Sequence, residues 1–369
     1  MKESKLRRSG IKIMASLILL LGSLVYIMLL AVLNGSLGFI AAMGVTVFGA
    51  TGIAKALGES IAMSYGVIIG CAVGFGVIRG ILRYLEQYSN HFIAFNLLAV
   101  IRDKIFGALR RLCPAKLENK EKGSIIAMIT SDIETLEVFY AHTISPICIA
   151  VLVSVGTALF VGFVSSWYLA LVAAVGYLLI GVVVPLVSSR KMKASGVRYR
   201  SEFADFNAYF LDSIKGIKDV VLSGSGKERE KEVDRRSDLL LKETKKMKRD
   251  IAAASAFTEL AVSLAIGLTL VVGILLVHQN ILSLGYMIIG VVTVFSSFGP
   301  VIAISALPGN LTQTFASGDR VLNLLAEEPV VKPVENGKSF AFETLDVKNL
   351  SFSYDGSCQV LQNVSMHAK

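Results

Sequence analysis

Charged residues are scarce. Asp, Glu, Lys and Arg make up 18% of the 369 residues, where an ordinary soluble domain carries about a quarter because it must wet its whole surface. That shortage excludes a soluble globular protein, and a 54% apolar content excludes disorder. Proline is scarce too, at 7 residues, which excludes proline-rich low complexity and leaves long stretches free to be helical. The four cysteines, Cys71, Cys113, Cys148 and Cys358, form no C-x-x-C pair, so neither a disulfide framework nor a zinc site is indicated. No A-x-A-like cleavage site follows the basic start, so the first apolar run reads as a retained span and not a cleaved signal. What is abundant is apolar sequence in long runs, with 32 glycines, many of them inside those runs, where they suit close helix packing in lipid. The fold class that follows is an all-α membrane protein.

Positive charge is in excess, at +9, and its placement is informative. Of 37 Lys and Arg, five lie in residues 1–12, nine in 79–122, seventeen in 189–250 and five in 309–369, with Lys55 the only one elsewhere. Apolar runs separate these blocks, as expected when basic loops stay on the cytoplasmic side of a membrane. Nucleic acid is excluded as a partner on the same ground, since no basic stripe with interleaved aromatics sits on a soluble module.

A bilayer core needs about 20 apolar residues as helix. Five stretches reach that length, at 13–33, 138–163, 168–188, 251–277 and 284–307, and a sixth, 61–78, continues into a helical pattern. The apolar stretch 36–54 is read as the outer end of the first span plus a loop, because counting it as a seventh span would put the basic block 79–122 outside. Six spans place both termini in the cytoplasm. From Ile61 to Leu112 no proline interrupts the pattern, so the second span is expected to extend to residue 112, more than twice the hydrocarbon thickness, with Pro114 as its stop. The fourth span is expected to extend to residue 215, and the charged stretch 227–250 to return as its partner. Two helical hairpins therefore project from the membrane, turning near 114–123 and 213–220. Residues 1–325 form this membrane domain, 326–340 a linker with two prolines, and 341–369 the start of a soluble domain whose β-branched and aromatic residues flank an Asp355–Gly356 turn and read as a strand pair.

This order of elements, ending in LDVKNLSFSYDGSCQVLQNVSM, resembles an ABC exporter half-transporter: six transmembrane helices with long cytoplasmic extensions, followed by the first β-strands of an α/β nucleotide-binding domain. The resemblance implies ATP and Mg2+ as cofactors, a second half as partner in a homo- or heterodimer, coupling helices at the two hairpin turns, and location in the plasma (inner) membrane. It also implies that Tyr354 stacks on adenine, against the plainer reading of a tyrosine that packs the new sheet, and that a phosphate loop lies beyond Lys369. The run Arg83, Tyr84, Leu85, Glu86 and His91, with LLAVIRDKIFGALRRLCPAKL and SDIETLEVFYAHTISP after it, is similar to the CydC-type subunit of the cytochrome bd assembly exporter, although Gln87 stands where that group usually has arginine. That likeness implies export of a small thiol, cysteine or glutathione, and associates haem with the position of His91.

From the residues themselves, Arg79, Arg83 and Glu86 share one face of the second helix at i, i+4 and i+7 spacing. They serve either as snorkelling side chains with an ion pair at the lipid boundary or as an entrance for an anionic small-molecule substrate, where arginine would hold a carboxylate in a fork. Glu259, inside the fifth apolar run, either faces the bundle interior or pairs near its boundary. Gly224, Ser225, Gly226 and Lys227 imitate a phosphate loop, but Val221 replaces the first glycine and Glu228 the hydroxyl, so a hairpin turn is expected. No Walker or signature motif is found, so ATP hydrolysis is expected to require residues beyond this sequence, and no metal-binding cluster is proposed. The functional expectation is ATP-dependent thiol export. The alternatives are a lipid, peptide or multidrug exporter half and, from another class, an ATP-independent carrier or assembly protein.

Overall fold

The computed structural model describes residues 8–113, 122–305, 307–329, 337, 341–353 and 359–369. Thirteen α-helices and two strands are found among them. The helices are α1 (Gly10–Leu20), α2 (Val25–Ala56), α3 (Tyr65–Leu112), α4 (Lys122–Ala127), α5 (Ile133–Phe139), α6 (Ser145–Val164) and α7 (Trp167–Leu178). There follow α8 (Val184–Lys215), α9 (Ile217–Leu222), α10 (Gly226–His278), α11 (Leu284–Ser297), α12 (Gly299–Ser305) and α13 (Pro308–Ala326). Strands β1 (Leu345–Phe352) and β2 (Leu361–Ala368) pair antiparallel.

Six helical stretches are long and apolar enough to cross a membrane: Val25–Ala56, Tyr65–Leu112, Gly123–Val164, Trp167–Ser189, Gly226–His278 and Leu284–Ser305. Six is the expected number, but the first lies later than 13–33. At Gly22 the backbone turns left-handed, with φ +51, a conformation that glycine adopts without steric cost. The helix breaks there, so 13–20 belongs to the separate helix α1. Beyond it nothing interrupts the run to Ala56, and 36–54 is helix throughout instead of ending in a loop. Helix α3, at 48 residues, is about 72 Å long, and α10, at 53, about 80 Å, so both run well past a hydrocarbon core.

Three π-helical turns, at Met128–Asp132, Tyr140–Ile144 and Leu179–Val183, interrupt the α-geometry. The last two lie immediately before Pro146 and Pro185, the second residues of α6 and α8. Proline has no N–H to donate and its ring presses on the carbonyl four residues back, and a widened turn relieves that clash without breaking the helix.

By contacts the chain divides into two units. The larger comprises residues 23–94 and 138–313. Its core joins α6, α7, α10, α11 and α12 around buried Val161, Leu169, Ala173, Ile180, Val294 and Phe298. Packing is close because the residues at crossings are small. A methyl group on Gly273 would lie 2.7 Å from Met287, which is the small-residue contact that holds helices together where water offers no hydrophobic drive. Hydroxyls in these helices satisfy themselves locally, with Thr157, Thr269 and Thr293 each donating at 2.7 Å to the carbonyl four residues earlier. At one end of this unit lies Lys55, the isolated base. Its ammonium donates to the carbonyls of Ile61 and Met63 and sits 5.4 Å from the Tyr65 ring, so it ties the α2–α3 turn together. Glu59 in the same turn accepts from the backbone N–H of Gly285 at 2.9 Å, a carboxylate at the start of α11.

The smaller unit comprises residues 1–22, 95–137 and 314–369. The second half of α3 buries Leu97, Ile101, Ile105, Ala108 and Leu112, each 2% exposed or less, as a single stripe of three- and four-residue steps. Helix α1 buries Ile13 and Leu17 in the same way, against Gly318 of α13, and Leu21 just beyond it is buried too. Asp132, in the first π turn, is 5% exposed and is held by Ser317 at 3.0 Å and by a two-pronged ion pair with Arg320, whose Nε donates at 2.7 Å. The β1–β2 register shifts on either side of Leu350, near two asparagines, Asn349 and Asn363, that carry φ of +51. Both faces of the hairpin are largely exposed.

Candidate substrate cavity

Within the larger unit, the middle of α3 carries Arg83, Glu86, Gln87 and Asn90 at i, i+3, i+4 and i+7, which places them on one face. These four side chains, with His142, form the polar wall of a cavity of about 130 Å³. Phe39, Pro146, Ile149 and Pro300 form its apolar wall. Arg83 donates to Glu86 at 2.7 Å, and the pair is asymmetric: the Glu86 side chain is 6% exposed, that of Arg83 55%. The carboxylate is therefore fixed by burial while the guanidinium keeps a free side. Helix α2 comes close enough to bury Glu86 because Gly35 stands opposite it. A methyl at Gly35 would sit 3.0 Å from the Glu86 carboxyl carbon and 2.4 Å from Ile149. Asn90, 4% exposed, accepts from Ser145 at 2.8 Å through its Oδ1, which leaves its amide group to donate.

His142 enters the cavity wall from the π turn Tyr140–Ile144, and its ring meets that of His91 edge-on, with centroids 6.1 Å apart. Of the residues expected from the sequence, the structure brings Arg83 and Glu86 together at the cavity, places His91 beside it, and leaves Arg79 exposed on α3 outside the cavity wall. Asn90 escaped the sequence reading, and Gln87 entered it only as a departure from the CydC-type pattern, although their three- and four-residue spacing from Arg83 and Glu86 would have found both as site residues. His142 carried no such signal, because its direction depends on the π turn. Tyr354, the expected adenine-stacking residue, and positions 114–121 of the first expected coupling region lie outside the described residues.

At the second hairpin, α8 stops at Gly216 and the short helix α9 follows before α10 begins. Arg229 and Arg236 both stack on the Tyr209 ring, 4.8 and 4.4 Å from its centroid, and Arg229 also reaches Asp212 at 3.4 Å. The turn between α9 and α10, residues 223–225, holds the first half of the GSGK sequence, and Gly226 and Lys227 open α10. Gly224 adopts φ +68, and the N–H groups of Gly224 and Ser225 donate back to Val221 and Val220, so those donors close a turn and are not free to cradle a phosphate.

The sequence profile of the ABC transporter transmembrane region matches residues 24–301, from the start of α2 into α12. The chain belongs to this family. As an ABC transporter transmembrane region it is a multi-pass membrane protein, and its relatives extend beyond it. It is 41% identical over 365 residues to a probable ABC transporter ATP-binding/permease protein of Haemophilus influenzae, covering 99% of this chain and 66% of that protein. It is 24% identical over 306 residues to the glutathione/L-cysteine transport system ATP-binding/permease protein CydC of the same organism, covering 79% of this chain and 51% of that one. Over 303 residues it is also 24% identical to the ATP-dependent lipid A-core flippase of Nitrosococcus oceani, covering 80% and 50%. The chain thus spans between half and two thirds of the length of these curated relatives. The ABC transmembrane match begins after α1 and ends before α13 and the β hairpin, while the first relative aligns along nearly the whole chain.

Proposed function

We propose that this chain is the membrane half of an ATP-driven exporter of a small thiol, cysteine or glutathione, acting with a second, unlike half. The observation that carries the reading is the Arg83–Glu86 pair in the cavity wall. An amino-acid-like thiol brings a carboxylate and an ammonium group. The exposed side of Arg83 would receive the carboxylate and Glu86 the ammonium, with Gln87 and the Asn90 amide as further hydrogen-bonding groups. Charge-assisted hydrogen bonds of this kind contribute about 1.5–3 kcal/mol each. The relative named as a glutathione/L-cysteine transport system supports the same cargo.

The engine in this reading lies in a nucleotide-binding domain that β1 and β2 begin. ATP with Mg2+ would be bound there, Tyr354 stacking on adenine, and closure would reach the membrane helices through α9. That helix exposes Ile217, Val221 and Leu222, three apolar residues suited to docking. Both termini lie on the cytoplasmic side of the inner membrane, a topology that rests on the clustering of 36 of the 37 bases. Family membership favours such a half over a stand-alone carrier. For haem the surroundings of His91 fit poorly: its histidine neighbour meets it edge-on, and the cavity beside it, about 130 Å³, is far smaller than a macrocycle, so no step is routed through that group.

A second reading, lipid export, rests on a different cavity, about 260 Å³, between α6, α7 and α12, lined by Val151, Val155, Leu178, Val182 and Ile304, and on the lipid A-core flippase relative. The two readings separate in one assay. With the full-length protein and its partner half reconstituted in liposomes, cysteine or glutathione should stimulate ATP hydrolysis and Arg83→Ala should abolish the stimulation; stimulation by lipid A-type lipid alone would favour the second reading and sink the first.

A further inference from the structure

Helix α10 has two unlike exposed sides at bilayer depth. One carries small and polar residues, Ser255, Glu259, Ser263 and Gly267, four residues apart. The other carries Phe257, Leu260, Leu264 and Leu268, at steps of three and four and each more than half exposed. At about 100° per residue the Glu259 side lies almost opposite the leucine side. A carboxyl group within a bilayer faces protein or water, so the Glu259 side is the one that the second half or the pathway covers, and the leucine side is left to lipid. On the leucine side α10 and α7 form a groove of about 210 Å³, with Val175 of α7 as its other wall. Its floor is low because Gly176 packs on Ala265, where a methyl on the glycine would lie 3.1 Å from the alanine Cβ.

The depth of the groove follows from the outer ends of the two spans. Trp167 and Tyr168 open α7, both exposed, as aromatic residues do at a membrane interface. A methyl on Gly273 would lie 3.8 Å from Leu169, so Gly273 of α10 stands at the same level. A hydrocarbon core of about 30 Å takes about 20 residues of helix, which brings α10 to the inner edge near Ala253. The same count from Leu169 ends in the SSRK sequence, 188–191, so the two helices agree. The groove, beside residues 257–268, therefore lies within the hydrocarbon, and Arg249 falls about 6 Å past the edge, in the headgroup layer. Lys246, about 10 Å past the edge, has a stem long enough to reach back. Through Ala253 these two bases continue the stripe of Phe257 and the leucines at steps of three and four, while Lys245 and Lys248 lie on other sides of the helix. Residues 245–250 hold four bases and one acid, Asp250. Among the described residues neither Lys246 nor Arg249 has an ion-pair partner. We propose that this groove binds an anionic phospholipid of the leaflet at the basic end of α10, one acyl chain lying along Phe257, Leu260, Leu264 and Leu268 and the phosphate at Arg249 and Lys246. Ala253, exposed and small, leaves room between them for the glycerol. Free phosphate lacks the apolar half of that match, so a lipid is the occupant. It is a fixed neighbour and not cargo, because the Arg83–Glu86 cavity is built from elements other than α7 and α10.

The test uses the full-length protein with its partner half, purified in detergent and loaded with phosphatidylglycerol or phosphatidylcholine, with retained lipid read by native mass spectrometry. Wild type should retain phosphatidylglycerol over phosphatidylcholine. The variant K246Q/R249Q should retain about 25-fold less phosphatidylglycerol, since each base near a lipid surface is worth about fivefold. K245Q/K248Q removes as much charge from the same stretch but from other sides of the helix, and should retain nearly as much as wild type. The charge-keeping variant K246R/R249K should behave as wild type, which separates loss of charge from loss of fold. For the acyl chain, in a background without the native cysteines, a fluorescent label on Leu264→Cys should be quenched by phosphatidylglycerol carrying a nitroxide at mid-chain, and the same label on Ser263→Cys far less. Equal retention of the two lipids, equal loss in the two glutamine variants, no loss in K246Q/R249Q, equal quenching at the two positions, or a short bifunctional thiol reagent joining Leu264→Cys to the partner half would each overturn the proposal. None of these readouts depends on thiol transport, so their failure would leave the cargo assignment standing.

Discussion

Asp132 and Arg320 form an ion pair in the smaller unit with a buried carboxylate, and the price of breaking it falls on whichever partner stays behind. In Arg320→Ala the carboxylate, 7% exposed as a side chain, keeps only the Ser317 hydroxyl, and the loss should be about 3–5 kcal/mol. Asp132→Ala removes the buried charge and leaves Arg320, 55% exposed, to water, so it should be the milder change. Denaturant or thermal unfolding followed by helix content would show the order; equal losses would contradict it. Gly35 makes a residue-scale prediction in the larger unit. Gly35→Val places its branches where Ile149 and Glu86 already are, and overpacking of this kind costs about 1–3 kcal/mol. The midpoint temperature should fall accordingly, whereas Gly70→Val, at a position where an added Cβ meets nothing within 4 Å, should change it far less. At this scale the sequence was half legible. Helical spacing brought out Arg83 with Glu86, but the same spacing also included Arg79, which lies outside the cavity wall, and it could not reveal His142.

At the scale of elements, the π turn before Pro146 sets the direction of His142. If Pro146→Ala lets the turn relax to α-geometry, every residue before it rotates by about 100° relative to α6. A variant with cysteines at 91 and 142, in a background without the native cysteines, should be joined by a short bifunctional thiol reagent when Pro146 is present and poorly when alanine replaces it. Equal crosslinking would mean that the turn has another cause. The elements also show where apolar composition runs out as a guide. The six spans were legible as runs of sufficient length, α3 as a continuation without proline, and α8 and α10 as continuations at helical spacing. The break at Gly22 was not, because an apolar run looks the same whether or not one glycine inside it turns left-handed. The first span was accordingly placed about a dozen residues too early, although the number of spans was right.

For the whole molecule, the distribution of bases makes a topological prediction. Residue 283, between α10 and α11, should face the outside, and residue 223, between α9 and α10, the cytoplasm. In a protein without its native cysteines, a membrane-impermeant thiol reagent applied to intact cells should label Ser283→Cys at once and Ser223→Cys only after permeabilisation. The reverse pattern would remove the topology and the direction of transport with it. Fold class and topology could be argued from the sequence because bilayer length and loop charge act on every span alike. The cargo could not, since it depends on a few side chains meeting across three helices.

Transport of thiol is therefore the most direct test of the account. Inverted membrane vesicles carrying the full-length protein and its partner half should accumulate glutathione or cysteine when ATP is supplied. The same vesicles with Arg83→Ala should accumulate at least about tenfold less, in keeping with the loss of one charge-assisted contact. Equal accumulation by the two would contradict the role assigned to the Arg83–Glu86 cavity, and no accumulation by wild type under conditions where it hydrolyses ATP would contradict thiol export itself.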